Sequence, residues 1–174
     1  MKPKFILNCL ALSIAFLTCS LKVSAQANNF NADNIDIKFV RFDMFVDPGL
    51  TATNVQVLKG AVTTYFTTKL ANVQTIKFDF YRDNTTTPLR MIGDSIRYHG
   101  VKYNLTGANH INDTLLVNLP ATIPAINTLD SVTVYYHGNP TQSTSSRGYK
   151  KNTTSSLNII STHSSGYFAR QWWP

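Results

Sequence analysis

Apolar and polar residues alternate in several short segments of the chain. Ile35, Ile37 and Phe39 are separated by Asp36 and Lys38, and the same alternation recurs after short polar breaks. Successive side chains of a β-strand point to opposite faces, so a period of two predicts strands that are buried on one face. The segments that follow this pattern are 35–46, 55–66, 76–80, 96–98, 101–103, 115–119 and 132–136, and a short apolar run at 157–160 predicts a last strand.

Turn-forming residues separate these segments. Asp47-Pro48-Gly49 follows the first strand, and His99-Gly100 predicts a hairpin between two short strands. Gly60 predicts a bulge, because the alternation changes phase there. Pro120 is expected to end its strand, and the polar stretch 141–156 is predicted to be a surface loop.

The predicted elements indicate an all-β protein. β-branched and aromatic residues are abundant, and no segment combines helical periodicity with capping residues. Short strands joined by turns favour an antiparallel β-sandwich or a saddle-like sheet. Residues 26–174 suit one β-domain, in which 157–174 forms the C-terminal lead.

The first 25 residues have the pattern of an export signal. Lys2 and Lys4 precede the apolar stretch 5–17, and Val23-Ser24-Ala25 supplies small residues for cleavage before Gln26. We therefore expect an exported protein, which is periplasmic, cell-surface or extracellular. No later stretch is long and apolar enough to predict a membrane span. Cys19 leaves a lipoprotein anchor open as the alternative.

Charge argues against a nucleic-acid-binding protein. Of the 16 Lys and Arg residues, Lys2, Lys4 and Lys22 lie in the predicted signal, so 13 remain against 9 aspartates. These charges are scattered, and Lys150-Lys151 is the only basic doublet. A basic stripe that could follow a phosphate backbone is not present in the sequence.

The chain also contains no glutamate, which excludes the zinc-binding motif His-Glu-x-x-His. Both cysteines, Cys9 and Cys19, lie in the predicted signal, so a thiolate site is not expected in the remaining chain. No histidine has a metal-binding partner at helical spacing, and no serine has the context of an activated nucleophile. We predict neither a metal site nor catalytic residues here; the histidines are His99, His110, His137 and His163.

Two adjacent tryptophans, Trp172 and Trp173, stand before Pro174. Each indole carries a large apolar area, so three interpretations are open. The pair could form a sugar-binding platform, which would make the chain a carbohydrate-binding or adhesive β-module. It could fill the core of a purely structural extracellular module. The third interpretation, which we favour, is that the indoles pack at a junction with another domain.

The residues 162–174, Thr-His-Ser-Ser-Gly-Tyr-Phe-Ala-Arg-Gln-Trp-Trp-Pro, resemble a motif of the aminopeptidase N family of zinc peptidases. In that family the pattern is roughly T-x-S-E-P-Y-x-A-R-x-W-W-P, and it leads from an N-terminal β-domain into the catalytic domain. Weaker similarities in the family's order extend the resemblance over about residues 33–174. They are Asp43 with Asp47-Pro48, Lys59-Gly60-Ala61-Val62, 76–80 and 132–140.

The resemblance implies the N-terminal β-domain of a longer zinc aminopeptidase. It implies zinc in the parent's catalytic domain, which is absent from this chain, and a peptide as the parent's substrate. Ala169, Arg170, Trp172 and Trp173 are then expected to pack between the domains. Ser165 stands where the family places a Gln or Glu that helps to bind the substrate's amine, and His163 where some members have a second Gln. These two residues are the candidate substrate contacts, and the neutral serine puts amine recognition in doubt.

Overall fold

The computed structural model describes residues 34–47, 58–82, 91–140, 148–152, 159–163 and 166–174. Within these ranges the chain forms ten strands and two short 3-10 helices, Gly107–Asn109 and Gly166–Gln171. The predicted all-β class is confirmed. The strands are β1 Ile35–Val46, β2 Leu58–Thr68, β3 Val73–Asp79, β4 Met91–Tyr98, β5 Val101–Asn104, β6 His110–Ile111, β7 Thr114–Ile123, β8 Leu129–Gly138, β9 Gly148–Asn152 and β10 Ile159–His163.

The strands form three antiparallel sheets. The largest has the order β1-β2-β8-β4-β5, the second β3-β7-β6, and the third is the β10-β9 hairpin. The inward side chains of the first two sheets form one apolar cluster, as expected for a sandwich. Fully buried members include Phe66 of β2, Ile76 of β3, Leu115 of β7 and Val134 of β8. We call the face of the five-stranded sheet that points away from this cluster the outer face.

Most of the predicted strands are confirmed by the register. β1 spans the whole predicted segment, and β7 and β8 contain the alternating residues that predicted them. β3 contains residues 76–79 of its predicted segment and ends one residue before Phe80. The hairpin of β4 and β5 turns at His99 and Gly100, which both have positive φ angles of 47° and 83°. This conformation is typical of the tight turns that match the twist of antiparallel strands. The predicted positions Val55 and Val57 lie outside the described residues.

The predicted bulge at Gly60 is wrong. β2 pairs with β1 and β8 in unbroken register through Gly60, and the irregular positions are Lys38 in β1 and Asp94 in β4. The reason for a glycine is instead the aromatic ring of Tyr136, which lies directly opposite on β8. A Cβ atom at Gly60 would be 2.7 Å from three atoms of that side chain. The buried Tyr136 ring therefore occupies the space that a side chain at position 60 would fill.

Two further expectations are corrected. Pro120 does not end β7, because the pairing with β3 is irregular between Asn118 and Ile123. Proline is tolerated in such a stretch, where its missing N–H interrupts no regular ladder. The predicted loop 141–156 contains β9, and its Tyr149 is buried. The strand was missed because its other residues are polar and produce no apolar alternation. In the described part of the chain, no helix is long and apolar enough to cross a membrane.

His110 joins the end of β3 to β6 from within the core. It is buried, its ring stacks on Phe80 at 5.1 Å, and its Nε2 lies 2.7 Å from the Phe80 carbonyl oxygen. Because the carbonyl can only accept, Nε2 carries the proton and donates it. Burial lowers the pKa of His110 below 6.5, although the Phe80 carbonyl opposes this effect.

Replacing Gly60 with Ala is expected to lower the free energy of unfolding by about 1–3 kcal/mol, because the added methyl group overlaps the Tyr136 ring. Chemical denaturation measures the change. Gly107→Ala is the matched control, since its nearest neighbour would be an Arg82 nitrogen at 3.9 Å. We expect this variant to change stability by less than about 0.5 kcal/mol. Equal stability of the two variants would contradict the contact between β2 and β8.

Acid is expected to destabilise the protein through His110. The unfolded state binds a proton near the ordinary pKa of 6.5, whereas the folded state binds it only at lower pH. The free energy of unfolding therefore falls as the pH drops below 6.5 and continues to fall until the folded pKa is reached. The measurement is denaturation from about pH 7.5 to about pH 5. His110→Gln should make the free energy of unfolding depend less steeply on pH. In the exposed control His99→Gln, the part of the pH dependence that comes from His110 should remain.

Candidate functional site

The second 3-10 helix fixes the backbone of the candidate interdomain residues. The Tyr81 N–H, just after β3, donates to the Arg170 carbonyl at 2.8 Å. The Ala169 carbonyl accepts from the N–H groups of Trp172 and Trp173, at 3.1 and 3.2 Å. These bonds satisfy the carbonyls of Ala169 and Arg170 at the end of the helix and hold the backbone of the two tryptophans beside the core.

Arg170 is bound within this domain. Its Nη1 lies 3.4 Å from an Asp79 oxygen and 3.9 Å from an Asp113 oxygen, and its guanidinium lies 5.9 Å from the centre of the Tyr81 ring. Burial raises the pKa of Asp79, and Arg170 opposes that effect. Asp79 is therefore an ion-pair partner of Arg170. Asp79 was not recognisable as a partner because 91 residues separate it from Arg170.

Both indoles pack against the domain's own core while they remain partly exposed. The Trp173 ring meets the Phe42 ring edge-on, with centroids 4.7 Å apart and planes at 86°. The two indole planes are inclined at 78° and their centroids are 6.2 Å apart. A flat platform for stacking sugars needs rings that share one plane, and these two indoles do not. Part of each indole packs against the core of this domain, and the rest is exposed.

An apolar surface continues from the indoles along β1. Phe42, Met44 and Val46 lie on the core-facing side of this strand, yet they are 39%, 38% and 37% exposed. The Tyr136 hydroxyl lies 3.3 Å from the Met44 sulfur, which fixes the side on which Met44 lies. We call Phe42, Met44, Val46, Trp172 and Trp173 the apolar rim. It is a half-covered margin of the core at the C-terminal segment.

The candidate substrate contacts are only partly described. His163 ends β10, where it pairs with Gly148 of β9, and its side chain is exposed. Ser165 lies outside the described residues. The structure therefore brings Ala169, Arg170 and the indoles together, and it leaves the relation of His163 to Ser165 undescribed.

The outer face carries a depression that the sequence did not indicate. Its volume is about 730 Å³, and its floor lies on β1, β2 and β8, where the small side chain of Ala61 leaves room. His137 Nδ1 lies 2.7 Å from a carboxylate oxygen of Asp94 at its margin. Asp94 is the extra residue of the β4 bulge, which directs its side chain across to β8. The depression is also lined by Asp43, Phe45, Lys59 and Tyr135.

The described histidines do not fit a zinc site. His99 bonds Asp130 at 2.9 Å, His110 bonds the Phe80 carbonyl, and His137 bonds Asp94. Among the residues that the structure describes, no three His, Cys, Asp or Glu side chains come together as a metal-binding group.

Comparison with known protein families found no family model that matches this chain, and comparison with curated proteins found no match either. The resemblance of the C-terminal motif therefore rests on the residues of the chain itself.

Trp173→Ala is expected to lower the free energy of unfolding by about 1–3 kcal/mol, because it removes a half-buried ring and its edge contact with Phe42. Leu129→Ala is the control, since Leu129 is 69% exposed and should contribute less than about 0.5 kcal/mol. Chemical denaturation compares the two variants. A Trp173 variant as stable as the control would mean that the indole contributes nothing to its own domain.

Proposed function

We propose that this chain is the exported N-terminal β-domain of an aminopeptidase N-like zinc peptidase. Its role would be to pack on the catalytic domain and to wall one side of the substrate site. The parent would remove N-terminal residues from peptides, with its zinc held by the catalytic domain. This chain would contribute binding surface and no catalytic group, in agreement with its lack of glutamate.

The observation that carries this proposal is the apolar rim. The two indoles and the Phe42 ring lie together at the C-terminal segment, and Met44 and Val46 follow Phe42 on the same side of β1. Each of the five side chains is only partly covered by the domain's own core. Large apolar surfaces of this kind usually mark an interface, because leaving them in water is unfavourable. A catalytic domain that packed on the rim would cover the outward-facing parts of Trp172 and Trp173.

The anchoring of the motif also supports an interdomain role. Arg170 is held by Asp79 and Asp113, and the Ala169 carbonyl binds both tryptophan N–H groups. These contacts fix the direction in which the two rings face before a partner arrives. A rigid apolar surface loses less side-chain entropy on association than a mobile one, and its affinity is correspondingly higher. The motif would thus serve both as the last part of this domain's core and as the first part of the junction.

The chain's contribution to substrate binding would be limited. His163 is exposed at the end of β10, and Ser165 follows two residues later. A serine hydroxyl forms a weaker hydrogen bond with a substrate ammonium than a carboxylate would. The peptide's amine would therefore depend mainly on residues of the catalytic domain, and this domain would wall the adjacent pocket.

The proposal is tested by sequencing the gene downstream of the Pro174 codon. We expect it to encode a domain that contains His-Glu-x-x-His, and we expect that domain to bind the present chain. Met44→Lys should weaken the binding by roughly tenfold or more, because it places a charge in the apolar rim. Leu70→Lys is the control, since Leu70 is exposed in the turn between β2 and β3. Isothermal titration calorimetry compares the variants.

Two results would overturn the proposal. One is a reading frame without the zinc motif. The other is a saturable change in indole fluorescence with a soluble polysaccharide that Trp172→Ala abolishes, which would favour the carbohydrate-binding alternative.

A further inference from the structure

In the part of the chain that the structure describes, β1 is a long strand that is paired on one side only. It spans 12 residues at the margin of the five-stranded sheet, next to β2. Among the described residues, no strand or turn bonds the backbone on its other side. The strand at the opposite margin, β5, has 4 residues. A long strand with a free edge presents unpaired N–H and C=O groups that can bind another strand.

The residues along this free edge are self-complementary. The bulge at Lys38 interrupts the alternation, so the regular part of the edge runs from Phe39 towards Val46. Its first part reads Phe-Val-Arg-Phe-Asp-Met-Phe and is centred on Phe42. Phenylalanine occupies both ends and the centre of this segment. Between them, apolar residues stand at positions 40 and 44, and opposite charges stand at positions 41 and 43.

Register places the side chains of this segment on two faces. Phe39, Arg41, Asp43 and Phe45 pair with Tyr65, Thr63, Ala61 and Lys59 on the outer face. Val40, Phe42 and Met44 lie on the core-facing side. Phe39 and Phe45 are 61% and 63% exposed, and Arg41 bonds Asp43 within the strand at 3.0 Å. Both faces at this edge therefore have apolar side chains that a second strand could cover.

We infer that β1 pairs with β1 of a second copy of this chain, antiparallel, about a two-fold axis through Phe42. In this register Arg41 stands opposite Asp43 of the other copy, and Asp43 opposite its Arg41. Phe39 stands opposite the other copy's Phe45 on the outer face, and Val40 stands opposite its Met44 on the core-facing side. Residues directly opposite each other in an antiparallel pair lie on the same face of the sheet. Each cross-strand pair in this register is therefore either two apolar side chains or two side chains of opposite charge.

Neighbouring registers are unfavourable for an electrostatic reason. A two-fold axis through Arg41 would place the two Arg41 side chains opposite each other, and an axis through Asp43 would do the same with the two aspartates. Like charges directly opposite each other destabilise a pair of strands. Moving the register by a single residue would place outer-face residues of one copy opposite core-facing residues of the other. The axis through Phe42 is the one among these that opposes unlike charges.

The same geometry predicts a closed dimer. Pairing about a two-fold axis uses the β1 edge of both copies, so among the described strands of the five-stranded sheet neither copy has a second long edge for a third copy. The other edge strand of each five-stranded sheet is the short strand β5. Phe42 stays on the core-facing side beside Trp173, so the edge pairing uses the backbone of β1 and leaves the indoles to the apolar rim. The dimer does not depend on the proposed peptidase function, because it concerns this chain alone.

The test is analytical ultracentrifugation of the purified chain and its charge variants. The wild type should dimerise, and Arg41→Asp and Asp43→Arg should each weaken dimerisation by roughly tenfold or more, because each reversal opposes like charges twice per interface. The double variant should dimerise like the wild type. An equimolar mixture of the two single variants should also dimerise, since every charged pair is then unlike. Arg97→Asp is the control, with the same charge change on an exposed outer-face position of β4.

Thermal unfolding verifies that each variant is folded. A wild-type chain that stays monomeric at every concentration reached would overturn the inference, as would assemblies that grow beyond the dimer. Single reversals that dimerise as well as the wild type would overturn it too. A folded double variant or mixture that stays monomeric would show that the register is wrong. Hydrogen exchange of the β1 amides adds an independent readout, because their protection should rise with protein concentration.

Discussion

The contact of Tyr136 with Gly60 is the constraint on which the rest of this fold depends. The ring lies over the bare backbone of β2, and its edge meets Phe80 at 5.6 Å with planes at 80°. Phe80 follows β3 and stacks on His110. One aromatic series thus joins the five-stranded sheet to the three-stranded sheet. Close-packed interiors tolerate little change of volume, so a side chain at Gly60 would disturb both sheets.

The same region determines where the core is left half covered. The Tyr136 hydroxyl reaches Met44 of β1, and Phe42 of the same strand receives the edge of Trp173. Phe42, Met44 and Val46 on the core-facing side of β1 nevertheless remain more than one third exposed. The C-terminal segment therefore closes the core only in part. This incomplete closure is the physical basis for an interface at the apolar rim, whichever molecule occupies it.

β1 combines two surfaces with different chemistry. Its core-facing side is apolar and continuous with the indoles, whereas its free edge offers backbone hydrogen bonds and an alternation of aromatic and charged residues. Side-chain packing would dominate an association at the apolar rim. Backbone pairing and charge order would dominate an association at the edge. The two can be used together, because hydrogen bonds in a sheet lie in its plane and side chains stand perpendicular to it.

The alternation of apolar residues was sufficient to predict most of the strands and the all-β class, because that signal is local. The turn at His99 and Gly100 was predictable for the same reason. The sequence also singled out Ala169, Arg170, Trp172 and Trp173 as a group. It could not indicate that Arg170 would bind Asp79, since that contact joins positions far apart in the chain.

Tertiary structure decided the features that depend on partners. The irregular positions at Lys38 and Asp94, the continuation of β7 through Pro120 and the burial of Tyr149 all arise from pairing and packing between distant segments. The outer-face depression exists because Ala61 of β2 lies beside larger side chains of β1 and β8. Periodicity in one segment indicates which face of that segment is apolar, but it does not indicate which other segment covers that face. Only the folded chain supplies the neighbour, and with it the site.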